Sequence, residues 1–436
     1  MKINVPIMKT RNIAISSMSK TLKTQWEQIL VLGSIMMITV IIYTFPTLII
    51  DRLFCSHQII GSETNLLSEW RWIDYCLLFL GAAGIGLLIN KERRLTACLI
   101  GFSLAFIGLC LVGLSFHQIL SNGGYGLVNA DELTSFLGFH VRPVVIPFAI
   151  ATKVIRLSVG VLFISITYEI KSRFKGNLGI PLGVIASLIS GVFLFQELIK
   201  FESIPNEAFW LGLIIISVLT ITAFAAFYFL LANDDNKTVG NGIASFRDRH
   251  LWVILALLTV GILVCNVVFT NFAKSYGETG EEVLLLSSGI PYLAFFIFSP
   301  IAGYLTERRN PNPYGIPILG AVIVIIGLFL LLVIAPGERH LYLIMVLSFL
   351  MGLGFSLFTI SLSVILTQIA NKDCIPYIVA LVFFAYMIIN NTISYTTNVN
   401  KVFLICSLML LIMTGILLYE YKATRILTKA KESSKV

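Results

Sequence analysis

The sequence GLLINKERR at residues 86–94 lies between two long apolar segments. A related sequence, GYLTERR at residues 303–309, lies between two further apolar segments. The first glycines of the two motifs, Gly86 and Gly303, are 217 positions apart, and half of the 436-residue chain is 218. A loop motif that recurs after half a chain indicates a tandem duplication. The chain is therefore predicted to consist of two halves with the same order of helices.

The composition predicts a polytopic membrane protein. Hydrophobic residues make up 57% of the chain and charged residues only 12%, which is too little charge to cover the surface of a soluble protein of this length. Apolar runs of about 18 residues or more recur along the chain, and each can cross the hydrocarbon core of a bilayer as a helix. The runs lack the alternation that is typical of a membrane β-barrel. We expect an all-α fold with twelve transmembrane helices in two six-helix pseudo-repeats.

The apolar runs define the predicted boundaries. The twelve spans are expected at residues 28–50, 72–90, 95–116, 143–168, 178–199, 208–231, 251–271, 283–305, 314–335, 341–369, 375–395 and 402–420. The corresponding regions are an N-terminal cytoplasmic segment, an N-terminal six-helix bundle, a cytoplasmic linker, a C-terminal six-helix bundle and a cytoplasmic tail, at residues 1–27, 28–232, 233–250, 251–420 and 421–436.

The distribution of basic residues predicts the orientation. If the N-terminus is cytoplasmic, the inner segments hold 22 Lys and Arg residues and the outer loops hold 7. Cytoplasmic loops carry an excess of these residues, so both termini are predicted to be cytoplasmic, in the cytoplasmic (inner) membrane. The net charge of +8 is explained by this bias, and no nucleic-acid partner is expected. The expected partners are the lipid bilayer and a small-molecule substrate.

The repeated motif resembles the cytoplasmic loop motif of the major facilitator superfamily. In the first copy Gly86, Leu88 and Arg94 fit the motif, whereas Asn90 and Lys91 stand where the family has aspartate and arginine. The second copy keeps both an acid and an arginine. The alternative interpretation is a basic turn that only sets the topology, but two copies half a chain apart favour the family.

The resemblance implies two six-helix bundles that rock around a central cavity. The loops would then pair across to the opposite half when the cytoplasmic side is closed. On this basis the predicted gating residues are Gly86, Asn90, Lys91, Arg94, Gly303, Glu307 and Arg308.

Span four carries the two basic residues that lie deepest in an apolar run. Lys153 and Arg156 are three positions apart, which places them on one helix face. A charge in the middle of a bilayer is costly unless it faces water or a partner, so both are candidates for substrate binding or coupling. The alternative is that both side chains extend to the membrane surface. The stretch also resembles the superfamily's span-four motif, because Gly160 follows Arg156 by four residues, and this resemblance implies a role in coupling or substrate binding.

Span one is similar to the span-one motif of drug:proton antiporters. Thr39 and Pro46 match that motif, and Met37 stands where those exporters have an aspartate. Together with Arg156 and Gly160, the match makes the multidrug-efflux branch the nearest one, with eroded motifs. The resemblance implies export of a small organic molecule, with protons as a second partner.

Acidic residues are missing from the predicted span interiors. None of the 23 Asp and Glu residues lies deep in a span, and Asp74 and Glu197 are near the outer ends of spans two and five. The interior therefore carries net positive charge, and we hypothesise that the substrate is an anionic or zwitterionic organic solute. Further polar candidates for the cavity, for which helix packing is an equally good explanation, are Tyr43, Asn266 and Asn390.

The predicted function is secondary active transport of a small organic solute by alternating access, in the direction of export. One alternative is an organic-anion uptake carrier or facilitator without proton antiport. Another is a receptor or assembly protein that uses a transporter fold without transporting anything. An enzyme is not expected, because the sequence shows no nucleophile–base pair or metal-ligand cluster. We expect no catalytic residues, no metal site and no cofactor.

Overall fold

The computed structural model of the chain describes most of the predicted spans. It covers residues 7–49, 94–121, 134–136, 139–141, 143, 145–174, 178–199, 206–232, 248–275, 281–308, 312–333, 341–370 and 399–433, with scattered positions in 73–84 and 374–382. The predicted gating residues Gly86, Asn90 and Lys91 and the candidate Asn390 lie outside this described part.

Long helices dominate the described part. Those of the N-terminal half are α1 (Ile7–Ile49), α2 (Arg94–Ser121), α3 (Val145–Arg173), α4 (Gly179–Ile199) and α5 (Asn206–Ala232). Those of the C-terminal half are α6 (Arg249–Ser275), α7 (Glu281–Arg308), α8 (Gly315–Val333), α9 (Leu341–Ile369) and α10 (Val399–Ser433). We refer to these sets as the N-half and the C-half.

Each of these ten described helices is long and apolar enough to cross a membrane. They agree with the predicted twelve-helix layout, and the predicted spans at 72–90 and 375–395 lie mostly outside the described residues. The polytopic all-α architecture is thus confirmed. One small addition is a hairpin of strands β1 (Thr134–Phe136) and β2 (Phe139–Val141), which lies in the predicted loop between spans three and four.

Two helices continue beyond the predicted spans. Helix α1 begins at Ile7, although its membrane-crossing segment is Gln25–Pro46, and α10 continues to Ser433, although its crossing segment ends at Thr424. The extension of α10, RILTKAKES, contains mainly residues with high helix propensity, and that of α1 includes three lysines, two methionines and an arginine. Hydropathy locates the part of a helix inside the bilayer, and therefore it underestimates the length of a helix that continues into water.

Each half has its own apolar core. The buried cluster of the N-half draws on residues between Ile29 and Phe227, and that of the C-half on residues between Leu251 and Leu417. Within the N-half, α2 and α3 approach closely, and the Ser158 hydroxyl donates to the Gly101 carbonyl at 2.9 Å. Small residues at such crossings let two helix backbones approach, which is how helices associate in a bilayer.

One close crossing in the C-half is between α8 and α9. A Cβ atom placed on Gly320 would lie 2.6 Å from both the carbonyl oxygen of Gly354 and the amide nitrogen of Phe358. Both obstructing atoms belong to backbone, which cannot rotate out of the way. The position therefore requires glycine.

Replacing this glycine is expected to separate α8 from α9. Gly320→Leu should destabilise the protein by about 1–3 kcal/mol, because overpacking at a backbone contact forces the helices apart. The thermal unfolding midpoint of purified protein in detergent should fall accordingly. The control is Leu319→Ala, since Leu319 is exposed on the same helix. Equal midpoints for the two variants would contradict the proposed packing.

Candidate functional site

The two halves meet along a row of small residues on α4. Gly179, Gly183, Ser187 and Gly191 follow one another at intervals of four, so they share one helix face. A Cβ atom on Gly183 would lie 2.7 Å from the Cα atom of Pro300 on α7. We call the contact between this face of α4 and the facing side of α7 the seam. Its small residues let the two backbones touch across the boundary between the halves.

Polar and aromatic contacts extend the seam. The Ser187 hydroxyl donates a hydrogen bond of 2.6 Å to the Phe296 carbonyl. Further along, the rings of Phe193 and Tyr292 stack with their centroids 5.7 Å apart. At the other end of the seam the backbones of Gly179 and Gly303 touch, and a side chain at either position would collide with the other helix. The seam thus follows α4 over 15 residues, from Gly179 to Phe193, or about 20 Å of helix.

Glu307 of the C-half lies at the N-terminus of α4 in the N-half. The backbone N–H groups of Leu178, Gly179 and Ile180 face its carboxylate. The first N–H groups of a helix lack partners within the helix and carry partial positive charge, so they attract a carboxylate and offset part of the cost of burying it. The second carboxylate oxygen, Oε1, is buried without a hydrogen-bond partner among the described residues.

Lys171 makes the opposite contact, from the N-half to the C-half. Its ammonium group donates a hydrogen bond to the carbonyl of Thr367. This carbonyl belongs to the last turn of α9, where the carbonyl groups lack partners and carry partial negative charge. An acid from one half thus meets a helix N-terminus, and a base from the other half meets a helix C-terminus. We call this end of the molecule, defined by Lys171, Gly179, Gly303, Glu307 and Thr367, the closed end.

Arg94, the last residue of the first loop motif, bonds within its own half. Its guanidinium lies 3.5 Å from the carboxylate of Glu169 and 5.0 Å from the ring centroid of Tyr168. Glu169 is buried and also pairs with Arg173 at 3.2 Å. These contacts hold α2 against α3. The two loop motifs therefore do different things in this state, because Arg94 holds one half together whereas Glu307 contacts the other half.

Of the remaining residues of the second motif, one contacts the other half and one does not. Gly303 is buried in the seam, whereas Arg308 is exposed and lies 5.9 Å from the ring centroid of Tyr304 on its own helix. The predicted gating role of Arg308 has no cross-half contact to support it among the described residues.

Arg156 lies inside the N-half, where its guanidinium covers the ring of Tyr43. Its Cζ atom is 3.6 Å from the ring centroid, so the contact joins α3 to α1. A cation over an aromatic face gains about 2 kcal/mol where water is excluded. The Nη1 atom is enclosed and has no hydrogen-bond partner among the described residues. The residue as a whole is only half-buried, so it remains partly accessible.

The other predicted residues of spans one and four have ordinary helical positions. Lys153 is half-buried one turn before Arg156, and Gly160 is buried one turn after it. The Thr39 hydroxyl donates to the Ile35 carbonyl of its own helix at 2.9 Å. Asn266 belongs to α6, and its side chain lies outside the described part. The structure thus brings Tyr43 and Arg156 together, with Lys153 and Gly160 one turn away from Arg156 on the same helix.

Two features of the closed end were not predicted. One is the row of small residues on α4. The sequence shows these residues at intervals of four, but it does not show which helix they face. The other is Lys171, which resembles any basic residue at a span end until α9 is placed beside it. No group of three or more His, Cys, Asp or Glu residues that could hold a metal ion occurs among the described residues.

Removing the acid at the closed end is expected to loosen the contact between the halves. A cysteine that replaces Ser187, in a background without the native cysteines, reports this because the position is buried in the seam. Glu307→Ala should raise the rate of maleimide labelling of that cysteine severalfold, since the α4 N-terminus loses its anionic partner.

The matched control is Arg308→Ala, the neighbouring charged residue that faces outward. It should leave the labelling rate unchanged. A Glu307→Ala rate equal to that of the control would show that the helix-terminus contact does not hold the closed end.

Comparisons with known proteins support a transporter. Residues 176–394 match the sequence profile of the Major Facilitator Superfamily. A comparison with curated protein sequences found no match. Several solved structures are similar in fold, and three of them are described next.

The first is a bacterial homologue of the iron transporter ferroportin in an outward-facing state, with a TM-score of 0.63, 16% identity and coverage of 91% of this chain and 99% of that chain. The proton:xylose symporter XylE has a TM-score of 0.61, 15% identity and coverage of 90% and 94%. The transporter FucP in the outward conformation has a TM-score of 0.62, 13% identity and coverage of 90% and 98%. The family and these folds indicate a membrane transporter rather than an enzyme. The chain belongs to the Major Facilitator Superfamily.

Proposed function

We propose that this chain is a secondary transporter that carries a small organic anion or zwitterion by alternating access. The observation that carries the proposal is the enclosed Nη1 atom of Arg156, which has no hydrogen-bond partner among the described residues. A buried charge without a counter-charge is costly, so such a charge at membrane depth marks a ligand or coupling site.

The position of the guanidinium favours an oxyanion as its partner. Tyr43 covers one face of the guanidinium at 3.6 Å, which leaves the edges to donate hydrogen bonds. An arginine edge matches the geometry of a carboxylate or phosphate, with two parallel N–H···O bonds. A cationic drug would instead be repelled at this position. The anion carrier that the sequence left as an alternative is therefore the function we favour.

The closed end supports a specific conformational state. We propose that the closed end faces the cytoplasm, because the basic residues concentrate at that end of the spans. In this orientation both termini are cytoplasmic, and the membrane is the cytoplasmic (inner) membrane. Two of the structural neighbours are described in outward states, which is consistent with a chain whose halves meet at the cytoplasmic end. Opening toward the cytoplasm would then require separating Glu307 from α4 and Lys171 from α9.

Proton coupling receives less support than anion binding. The buried carboxylates in the described part are Glu169, which pairs with two arginines, and Glu420, which pairs with His250 at 3.0 Å; the half-buried Glu307 contacts the α4 N-terminus. Each of the three is held by a partner other than Arg156. Export, proton antiport and membership of the drug-efflux branch stay predictions, as does the receptor alternative, which stable binding of a protein partner without any solute flux would favour.

Transport by reconstituted protein tests the proposal directly. Wild-type protein in liposomes should take up at least one of succinate, glycerol 3-phosphate, p-aminohippurate and taurocholate. Arg156→Ala should abolish that uptake, because losing a buried charged hydrogen bond costs about 1.5–3 kcal/mol, or more than tenfold in affinity. Arg156→Lys should retain part of it, since a lysine keeps the charge but cannot form two parallel bonds.

The control is Arg308→Ala, which removes an equal charge from the surface and should transport like the wild type. Undiminished uptake of every transported anion by Arg156→Ala would contradict the proposal. Uptake of a cationic dye by wild type and Arg156→Ala alike, without any anion uptake, would return the assignment to drug transport.

A further inference from the structure

We propose that the carrier is an obligatory exchanger. Its binding site changes from one side of the membrane to the other only with an organic anion bound, so the carrier exchanges one anion for another. This inference rests on the proposed function, because it assumes that Arg156 holds the substrate. It adds the mode of transport, which neither the fold nor the family determines.

The first step is the state of Arg156 without a substrate. Its Nη1 atom is enclosed and has no hydrogen-bond partner in the described part, and its Cζ atom lies 3.6 Å from the centroid of the Tyr43 ring. An aromatic face attracts the cation but accepts no strong hydrogen bond from it in this stacked geometry. The empty site therefore already contains an incompletely compensated charge, and only the partial accessibility of the residue relieves it.

The second step concerns acids that could replace the substrate. A carrier that returns empty needs a counter-charge for such an arginine, for example an aspartate that releases its proton. Here the nearest described carboxylate on α3 is Glu169, which is committed to Arg94 and Arg173 at the end of the helix. It lies 13 residues from Arg156, or about 20 Å along the helix, which is too far for a side chain to reach.

The third step is the intermediate between the two open states. Alternating access requires a conformation in which both ends are closed. In that conformation the accessible part of Arg156 would also lose contact with water, so the empty carrier would enclose a bare guanidinium. A bound carboxylate neutralises the charge and accepts hydrogen bonds from the guanidinium. It therefore lowers the free-energy barrier to this conformation for the loaded carrier and not for the empty one. The loaded carrier changes from one open state to the other, whereas the empty carrier stays open to the side where it released its anion.

Charge balance follows directly from this scheme. One anion leaves the site on one side before another of equal charge enters, and no bond is made or broken in either molecule. The exchange of equal anions moves no net charge across the membrane. Membrane potential should therefore leave its rate nearly unchanged, unlike that of a carrier that moves anions alone.

The test compares exchange with net efflux in the same liposomes. Vesicles are loaded with whichever labelled anion of the four-member panel the wild type carries, and are diluted into buffer with or without the unlabelled anion. Potassium on both sides with valinomycin clamps the potential, so that charge build-up cannot slow net efflux. Exchange should be about tenfold faster than net efflux or more, which corresponds to the penalty for an unpaired charged donor.

A neutral variant separates the role of the charge from general damage. The Ser187→Cys reporter measures opening of the closed end without relying on transport. In the wild type, adding the anion should speed maleimide labelling. Arg156→Met should label faster than the wild type in the absence of anion, because the apolar side chain has no charge to enclose, and added anion should have no further effect.

The outcomes distinguish the two proposals. Net efflux as fast as exchange would overturn obligatory exchange and leave anion transport standing. Labelling of Arg156→Met no faster than that of the wild type without anion would overturn the role of the bare guanidinium as the barrier. The absence of both exchange and net efflux for all four anions would overturn the proposed function itself.

Discussion

Charge in an apolar bilayer is the constraint that organises this molecule, because the membrane interior supplies neither water nor counter-ions. Two half-buried charges are placed at helix ends, where backbone groups lack partners. Glu307 contacts the N-terminus of α4, and Lys171 contacts the C-terminus of α9. Arg156 is different, since it lies in the middle of α3 and its guanidinium stacks on an aromatic ring instead of contacting a helix end. The same constraint thus closes one end of the molecule and leaves a site for a ligand within it.

The apolar bilayer also determines how the two halves associate. Helices in lipid gain little from burying apolar side chains against one another, so close backbone packing and helix-terminus contacts have to supply the attraction. The seam provides the packing over about 20 Å of helix, and the closed end adds the two charged contacts. Small residues give the seam few interlocking side chains, so the contact near the closed end would separate when the charged contacts break, without unpacking the core of either half.

Much of the fold could be predicted from the sequence, and for a simple reason. The length of an apolar run is set by the bilayer, so hydropathy located the described spans, and the repeated loop motif indicated the superfamily, which is confirmed. Helix ends in water were missed, because no such limit acts on α1 before Gln25 or on α10 after Thr424. The gating function of the loop motifs stays a prediction for all seven residues, of which Gly86, Asn90 and Lys91 also lie outside the described part.

The candidate site was less predictable, because contacts between helices depend on which faces meet. The sequence singled out Arg156 by its depth in an apolar run, and it named Tyr43 only as one of several polar candidates. The stacking of the two needed the placement of α1 against α3. Likewise, Lys171 became informative only when α9 was seen to end beside it. The local sequence thus shows which charge is costly to bury, whereas the tertiary structure shows which groups contact it.

The most direct test of the account is a thermal-shift measurement on purified wild-type protein and Arg156→Ala in detergent, with organic anions, lipophilic cations and neutral drugs. A ligand that binds the folded state stabilises it by RT ln(1 + [L]/Kd), so even a weak substrate raises the unfolding temperature when its concentration exceeds its Kd. The account predicts that anions stabilise the wild type and leave Arg156→Ala unchanged. Equal stabilisation of both proteins by cations or neutral drugs, with no effect of any anion, would contradict it.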